Sequence, residues 1–208
     1  MVTFLERPRM LSFRQEIARI AHEHGSLILV DGAQSVPHTP TDVQRIECDF
    51  LTFSGHKMLG PTGIGVLYVR EELLPQVEPL CVGGGTIRRV DLDGYTLAES
   101  SMRFEAGTPP VAQAIGLGEA VEYLTKVGMD RVEEHDRRLT RMIHGGLNEI
   151  PGVKVYGPED PRDRLGIVSF NVGDLNTHEV ALDAMANTMV RSGHHCAQPL
   201  MRHLINTP

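Results

Sequence analysis

The strongest constraint in the sequence is a short, unbroken apolar run. Ser26–Val30 (SLILV) follows a stretch of helical period and stops abruptly at Asp31-Gly32-Ala33-Gln34. A run that does not alternate suits a strand buried on both faces, the usual state of strands in a sheet covered by helices. Phe13–His24 before it places Ile17, Ile20 and Ala21 on one helical face, and Gly25 suits the helix end. The alternation continues. Thr41–Ile46 reads as a short helix with Thr41 as its cap, and Asp49–Phe53 as a second strand ending at Ser54-Gly55-His56-Lys57. Gly63–Val69 is a third strand and Glu71–Gln76 another short helix. The pattern predicts an α/β layer with mainly parallel strands.

Beyond it the pattern changes. Val82–Arg103 holds the run Gly83–Gly85 and reads as a surface excursion, directed towards another subunit. Pro110–Val127 and Met129–Ile150 read as two long amphipathic helices. Val153–Tyr156 and Gly166–Val172 read as strands of a second, smaller unit. His178–Met189 reads as a helix, and Val190–Ser192 as a short strand entering His194-His195-Cys196. The expected divisions are an irregular segment 1–12, a large unit 13–128, and 129–208 as a linking helix with part of a small α+β unit; Pro151-Gly152 suits a further break.

Composition excludes several function classes. Twenty basic against 27 acidic residues give a formal net charge of −7, which disfavours a nucleic-acid partner. The longest apolar runs, Leu27–Val30 and Ile64–Val69, fall far short of the roughly 20 residues of a membrane span. Met1–Met10 carries charge and proline and lacks a secretory apolar core. Three scattered cysteines make no disulfide framework, so a reducing cytoplasm is expected. Cys48 reads as a core residue, and Cys81 has no base beside it.

Asp31 and Lys57 stand just past the ends of two successive strands, where open α/β sheets bind ligands. Singly, each has a plain reading: a turn aspartate, and a lysine extending from a loop. As a pair they suit opposite sides of a flat, charged cofactor. Pyridoxal phosphate needs these parts: an amine for a Schiff base and a carboxylate to keep the pyridine nitrogen protonated. Ser54 and His56 offer donors for a phosphate, and Gln34 one for the ring hydroxyl. The dinucleotide fingerprint Gly-x-Gly-x-x-Gly is absent. Gly60-Pro61-Thr62-Gly63-Ile64-Gly65 lacks the lysine of a phosphate loop and reads as a tight turn feeding a strand. Cys196, behind His194 and His195, admits three readings at this point: a nucleophile, a metal ligand or part of a structural loop.

Four segments occur in order: Val30–Ser35 (VDGAQS), Phe53–Lys57 (FSGHK), Arg103–Pro109 (RFEAGTP) and Arg191–Ala197 (RSGHHCA). Together they resemble the class V aminotransferase family, in its SUF-type (group II) cysteine desulfurases and selenocysteine lyases. The resemblance implies a fold-type I, pyridoxal-phosphate-dependent homodimer with a mainly parallel large domain and a small α+β domain. It implies that Lys57 carries the cofactor, Asp31 pairs with its pyridine nitrogen and Gln34 meets its ring hydroxyl. Ser54 and His56 would bind the phosphate, and Thr108 would reach the phosphate of the neighbouring subunit. Cys196 would accept the sulfur of L-cysteine (or L-selenocysteine), releasing alanine, while Arg191 shapes the substrate site. No metal is implied. Gly83–Arg103 would be the dimer-side hairpin, and the partner a sulfur-acceptor or scaffold protein of iron–sulfur assembly. Family members also carry an N-terminal phosphate turn with a ring-stacking residue, and a C-terminal arginine for the substrate carboxylate. Neither has a match here, so the chain is expected to be truncated at both ends, with an inactive fragment as one alternative.

Overall fold

A computed structural model describes residues 8–99, 101–185 and 187–202. Helix α1 (Pro8–Glu23) leads into β1 (Leu29–Asp31). Its end is a glycine-terminated turn. Gly25 has φ +68° and donates its N–H to His22 O at 3.0 Å, while Ser26 N–H reaches Ala21 O at 2.8 Å. Within the segment expected to be irregular, residues 8–12 are helical, since proline is tolerated in a first turn; residues 1–7 lie outside the described residues. Helix α2 (Val43–Ile46) is capped by Asp42 rather than Thr41, because the Asp42 carboxylate accepts Gln44 N–H at 2.9 Å and Arg45 N–H at 3.2 Å.

Strand β2 (Phe50–Ser54) lies between β1 and β3 (Gly65–Val69). It pairs parallel with β1 and antiparallel with β3. The expected α/β layer is present, with β3 as its antiparallel member. A parallel return needs a crossover of about a dozen residues or more, usually a helix. The connection after β2 instead holds only a 3-10 turn, Gly55–Lys57, before the chain re-enters at Gly65.

Two apolar clusters lie on the sheet. Val30, Ile46, Cys48 and Leu51 form one, with Cys48 in the core as expected. Met58, Leu117 and Leu124 form the other, and Val36 and Phe53 touch both. Leu117 and Leu124 belong to α3 (Val111–Val127), and Met129 and Val132 at the start of α4 (Met129–Glu149) close the second cluster. Asp49, at 2% exposure, sets the start of β2. It accepts Ile28 N–H at 2.8 Å, shares a 2.9 Å hydrogen bond with His22 Nε2 and accepts Arg70 Nη1 at 3.2 Å. Burial opposes its charge, but the hydrogen bond from Ile28, then His22 and Arg70, hold its carboxyl below the usual range.

The excursion is a hairpin, β4 (Ile87–Asp91) against β5 (Gly94–Leu97). The smaller unit pairs β6 (Val153–Tyr156) antiparallel with β7 (Ser169–Val172), with α4 and α5 (Thr177–Ala184) packed against them. Buried Arg164 braces it, donating to Tyr156 O and Pro158 O, both at 2.7 Å. Helix α5 stops at Ala184, short of the expected Met189. Asn187 and Thr188 are weak helix formers, and both of their N–H groups turn back onto Ala184 O. Val190–Ser192 joins no ladder, and a short helix α6 (Gln198–Leu200) follows the cysteine loop.

Candidate active site

Parallel pairing fixes the first half of the site. Asp31 stands in register with Thr52, and Gly32 N–H extends the ladder to Thr52 O at 2.8 Å. Strands β1 and β2 therefore end at the same edge of the sheet. Asp31 Oδ1 accepts Ala33 N–H at 2.9 Å, an Asx-type turn that holds the half-buried carboxylate in place. The chain then coils tightly, with Val36 N–H on Gly32 O and Thr39 N–H on Ser35 O, and Gln34 lies half-buried within the coil. The coil sits directly on β2. A Cβ on Gly32 would stand 2.8 Å from Val36 Cγ2 and 3.2 Å from Thr52 O.

The end of β2 is equally tight. Gly55 N–H donates to Ile64 O at 2.9 Å, and Gly55 O accepts both Met58 N–H and Gly60 N–H at 3.0 Å. That turn seats Met58 in the second cluster and leaves Lys57 and His56 exposed beside half-buried Ser54. Among the described residues Lys57 makes no ion pair. Gly60–Gly65 is the tight turn that the sequence predicts, since β3 begins at Gly65.

The remaining candidates sit on other elements. Thr108 is exposed, and its segment is pinned to the glycine run by Gly107 N–H on Gly84 O at 2.7 Å. Exposed Cys196 and Arg191 lie on the loop after α5. His195 and Cys196 both adopt left-handed φ, 50° and 63°. Ala197 N–H closes the turn on His194 O at 2.8 Å, and Ser192 Oγ hydrogen-bonds His178 Nδ1 at 2.9 Å. The structure thus gathers Asp31, Gln34, Ser54, His56 and Lys57 at one sheet edge. Gly107, next to Thr108, is bound to the Gly83–Gly85 run, and the Cys196 loop to α5.

Two polar anchors of this frame escape the sequence reading: Asp49, and the His38–Asp136 pair at 2.7 Å. Asp49 could have been noticed as a charge opening an apolar strand. Asp136 carries no local signal, because its partner is 98 positions away.

The donor set at the edge has the chemistry pyridoxal phosphate requires: an amine for its aldehyde, a carboxylate for its ring nitrogen, and hydroxyl and imidazole groups for its phosphate. Among the described residues no group of three or more histidine, cysteine or acidic side chains is placed to hold a metal ion. No helix of the described residues is long and apolar enough to cross a membrane.

Comparison with known proteins gives a consistent picture. The profile of the family "Aminotransferase class-V" matches residues 11–207. A "Probable cysteine desulfurase" of Halalkalibacterium halodurans is 50% identical over 192 residues, covering 91% of this chain and 46% of that protein. The apo cysteine desulfurase of Thermococcus onnurineus NA1 superimposes with a TM-score of 0.85 at 47% identity, over 90% of this chain and 47% of its own. A C-DES mutant with glycine covalently linked to its PLP cofactor gives a TM-score of 0.76 at 29% identity, over 89% of this chain and 49% of its own. The chain spans about half the length of the curated relatives it matches.

Proposed function

The chain belongs to the class V aminotransferase family, and from that membership we propose that its sheet edge holds pyridoxal phosphate in a cysteine desulfurase. The reaction converts L-cysteine to L-alanine and leaves the sulfur on Cys196. One observation supports the reading: the parallel β1–β2 pair ends both strands on the same side of the sheet, with Asp31 at the end of one and Lys57 in the turn that follows the other.

Pyridoxal phosphate, when bound, supplies a ring that withdraws electrons from the substrate Cα. Asp31 keeps positive charge on the ring nitrogen, and the Ala33 N–H holds that carboxylate in position. Gln34 meets the ring hydroxyl, and Ser54 and His56 bind the phosphate. Lys57 anchors the cofactor and then moves the Cα proton as general base. Arg191 shapes the substrate site. The Cys196 thiolate attacks the substrate sulfur. The substrate's carbon–sulfur bond breaks, its electrons stay with carbon, and protonation of that carbon gives alanine. Cys196 is left as a persulfide.

Residues 13–128 form the cofactor-carrying part, and 129–208 carry the cysteine loop. The hairpin β4–β5 and Thr108 face a second subunit, where Thr108 reaches the neighbouring phosphate. A sulfur-acceptor protein of iron–sulfur assembly collects the persulfide. The three free thiols support a cytoplasmic setting.

Purified protein is titrated with pyridoxal phosphate and then given L-cysteine or L-selenocysteine. A Schiff-base absorbance band forms, is lost in Lys57→Ala and survives in Cys196→Ala, which releases no alanine from cysteine. Failure to take up the cofactor overturns the proposal. Full alanine release by Cys196→Ala overturns the persulfide step, and activity on selenocysteine alone identifies a selenocysteine lyase.

A further inference from the structure

We propose that His178 is a positioning residue for the cysteine loop, holding residues 191–197 on α5 so that Cys196 is presented in one conformation. The inference rests on the desulfurase reading for its catalytic consequence and on geometry for the rest. His195 and Cys196 occupy left-handed φ in succession, which non-glycine residues keep only where their surroundings enforce it. The bond from Ala197 N–H to His194 O closes the turn but does not attach it to anything. Attachment comes from His178. Its Nδ1 hydrogen-bonds Ser192 Oγ at 2.9 Å. A Cβ added at Gly193, where φ is +100°, would lie 3.6 Å from His178 Cε1, so the ring stands close beside this turn. His178 is fixed in turn. Its N–H donates to the Asn176 Oδ1 cap at 2.8 Å, and α5 packs on β7. Asn176, His178, Ser192 and Gly193 thus form a continuous mount under the turn that carries the thiol. The imidazole acts through the loop. A thiol held in one conformation meets the substrate sulfur without first losing the freedom of a wandering loop.

Amide hydrogen exchange and steady-state kinetics on the purified protein test this. His178→Ala and Ser192→Ala are each expected to speed exchange in the peptide spanning 191–197 about fivefold, the factor one net hydrogen bond is worth. Exchange in α3 and α4 stays unchanged. The two changes combined are expected to give no more than either alone. His178→Asn, whose amide can take the place of Nδ1, restores the slow rate, and His178→Phe does not. With cysteine as substrate, kcat falls in the alanine variants while KM and cofactor absorbance hold. Unaltered loop exchange in His178→Ala, or no rescue by His178→Asn, overturns the mount. If wild-type protein turns over no cysteine while the exchange pattern holds, the desulfurase reading fails and the mount stands.

Discussion

His38 Nδ1 and Asp136 Oδ2 lie 2.7 Å apart, joining residues 98 positions distant in the chain. The contact ties the coil that begins at Asp31 to the middle of α4. Both side chains keep part of their surface in water, so screening limits the strength of the pair. His38→Ala and Asp136→Asn are each expected to lower stability by about 1 kcal/mol. Urea midpoints of the two single variants and the double should show a coupling of roughly 0.5 kcal/mol or more.

Asp49 makes the fold acid-sensitive. Its folded pKa is held below the unfolded value of about 3.9, so the native state binds fewer protons there. The stabilisation is fully present above pH ~4 and is lost as pH falls through the lower, folded value. Asp49→Asn is expected to cost about 1–3 kcal/mol at neutral pH by weakening three hydrogen bonds. It should also flatten the acid limb of stability against pH, followed by circular dichroism.

Gly32 and Gly118 make an opposed pair. A Cβ at Gly32 meets Val36 Cγ2 at 2.8 Å, whereas at Gly118, in α3, nothing lies within 4 Å. Gly32→Ala is expected to destabilise by about 1–3 kcal/mol through overpacking. Gly118→Ala should stabilise by about 0.5–1 kcal/mol, because a helix interior favours alanine. Thermal melts of the two variants check both signs.

Asp31→Asn separates shape from charge. The amide oxygen still accepts Ala33 N–H, so the turn is kept while the carboxylate is lost. Cofactor absorbance is expected to persist, and alanine formation from cysteine to fall by about 100-fold. A variant with undiminished turnover would overturn the role proposed for Asp31 at the ring nitrogen.

Local signals foretold local structure. The glycine after α1 and the short turn through Gly60–Gly65 each determine their own conformation within a few residues, and each is found where the sequence places it. The apolar run before Asp31 is only partly so: the strand covers Leu29–Asp31 rather than Ser26–Val30, and Leu29 is 46% exposed while Val30 is buried, so one face lies open where burial on both was expected. The grouping of Asp31 with Ser54 and Lys57 was legible because strand ends are legible. Direction and distance were not. Whether β3 returns parallel depends on what the connection can accommodate, and apolar patterning does not record that. The choice of Asp42 over Thr41 as cap is a contest between adjacent, similar side chains. The His38–Asp136 contact and the left-handed pair His195–Cys196 are products of tertiary packing, with no periodicity to announce them.

Helix α4 is unbroken from Met129 to Glu149, and that continuity makes it a ruler. Its first residues pack beside Met58, next to Lys57, and β6 of the unit bearing the cysteine loop lies along it. A single residue inserted into or removed from the helix would turn everything beyond it by about 100° and shift it by about 1.5 Å. The orientation of β6 relative to the Met58 cluster is therefore written into the length of one helix. Substitutions along its surface leave that orientation intact, while a change of one residue in its length does not.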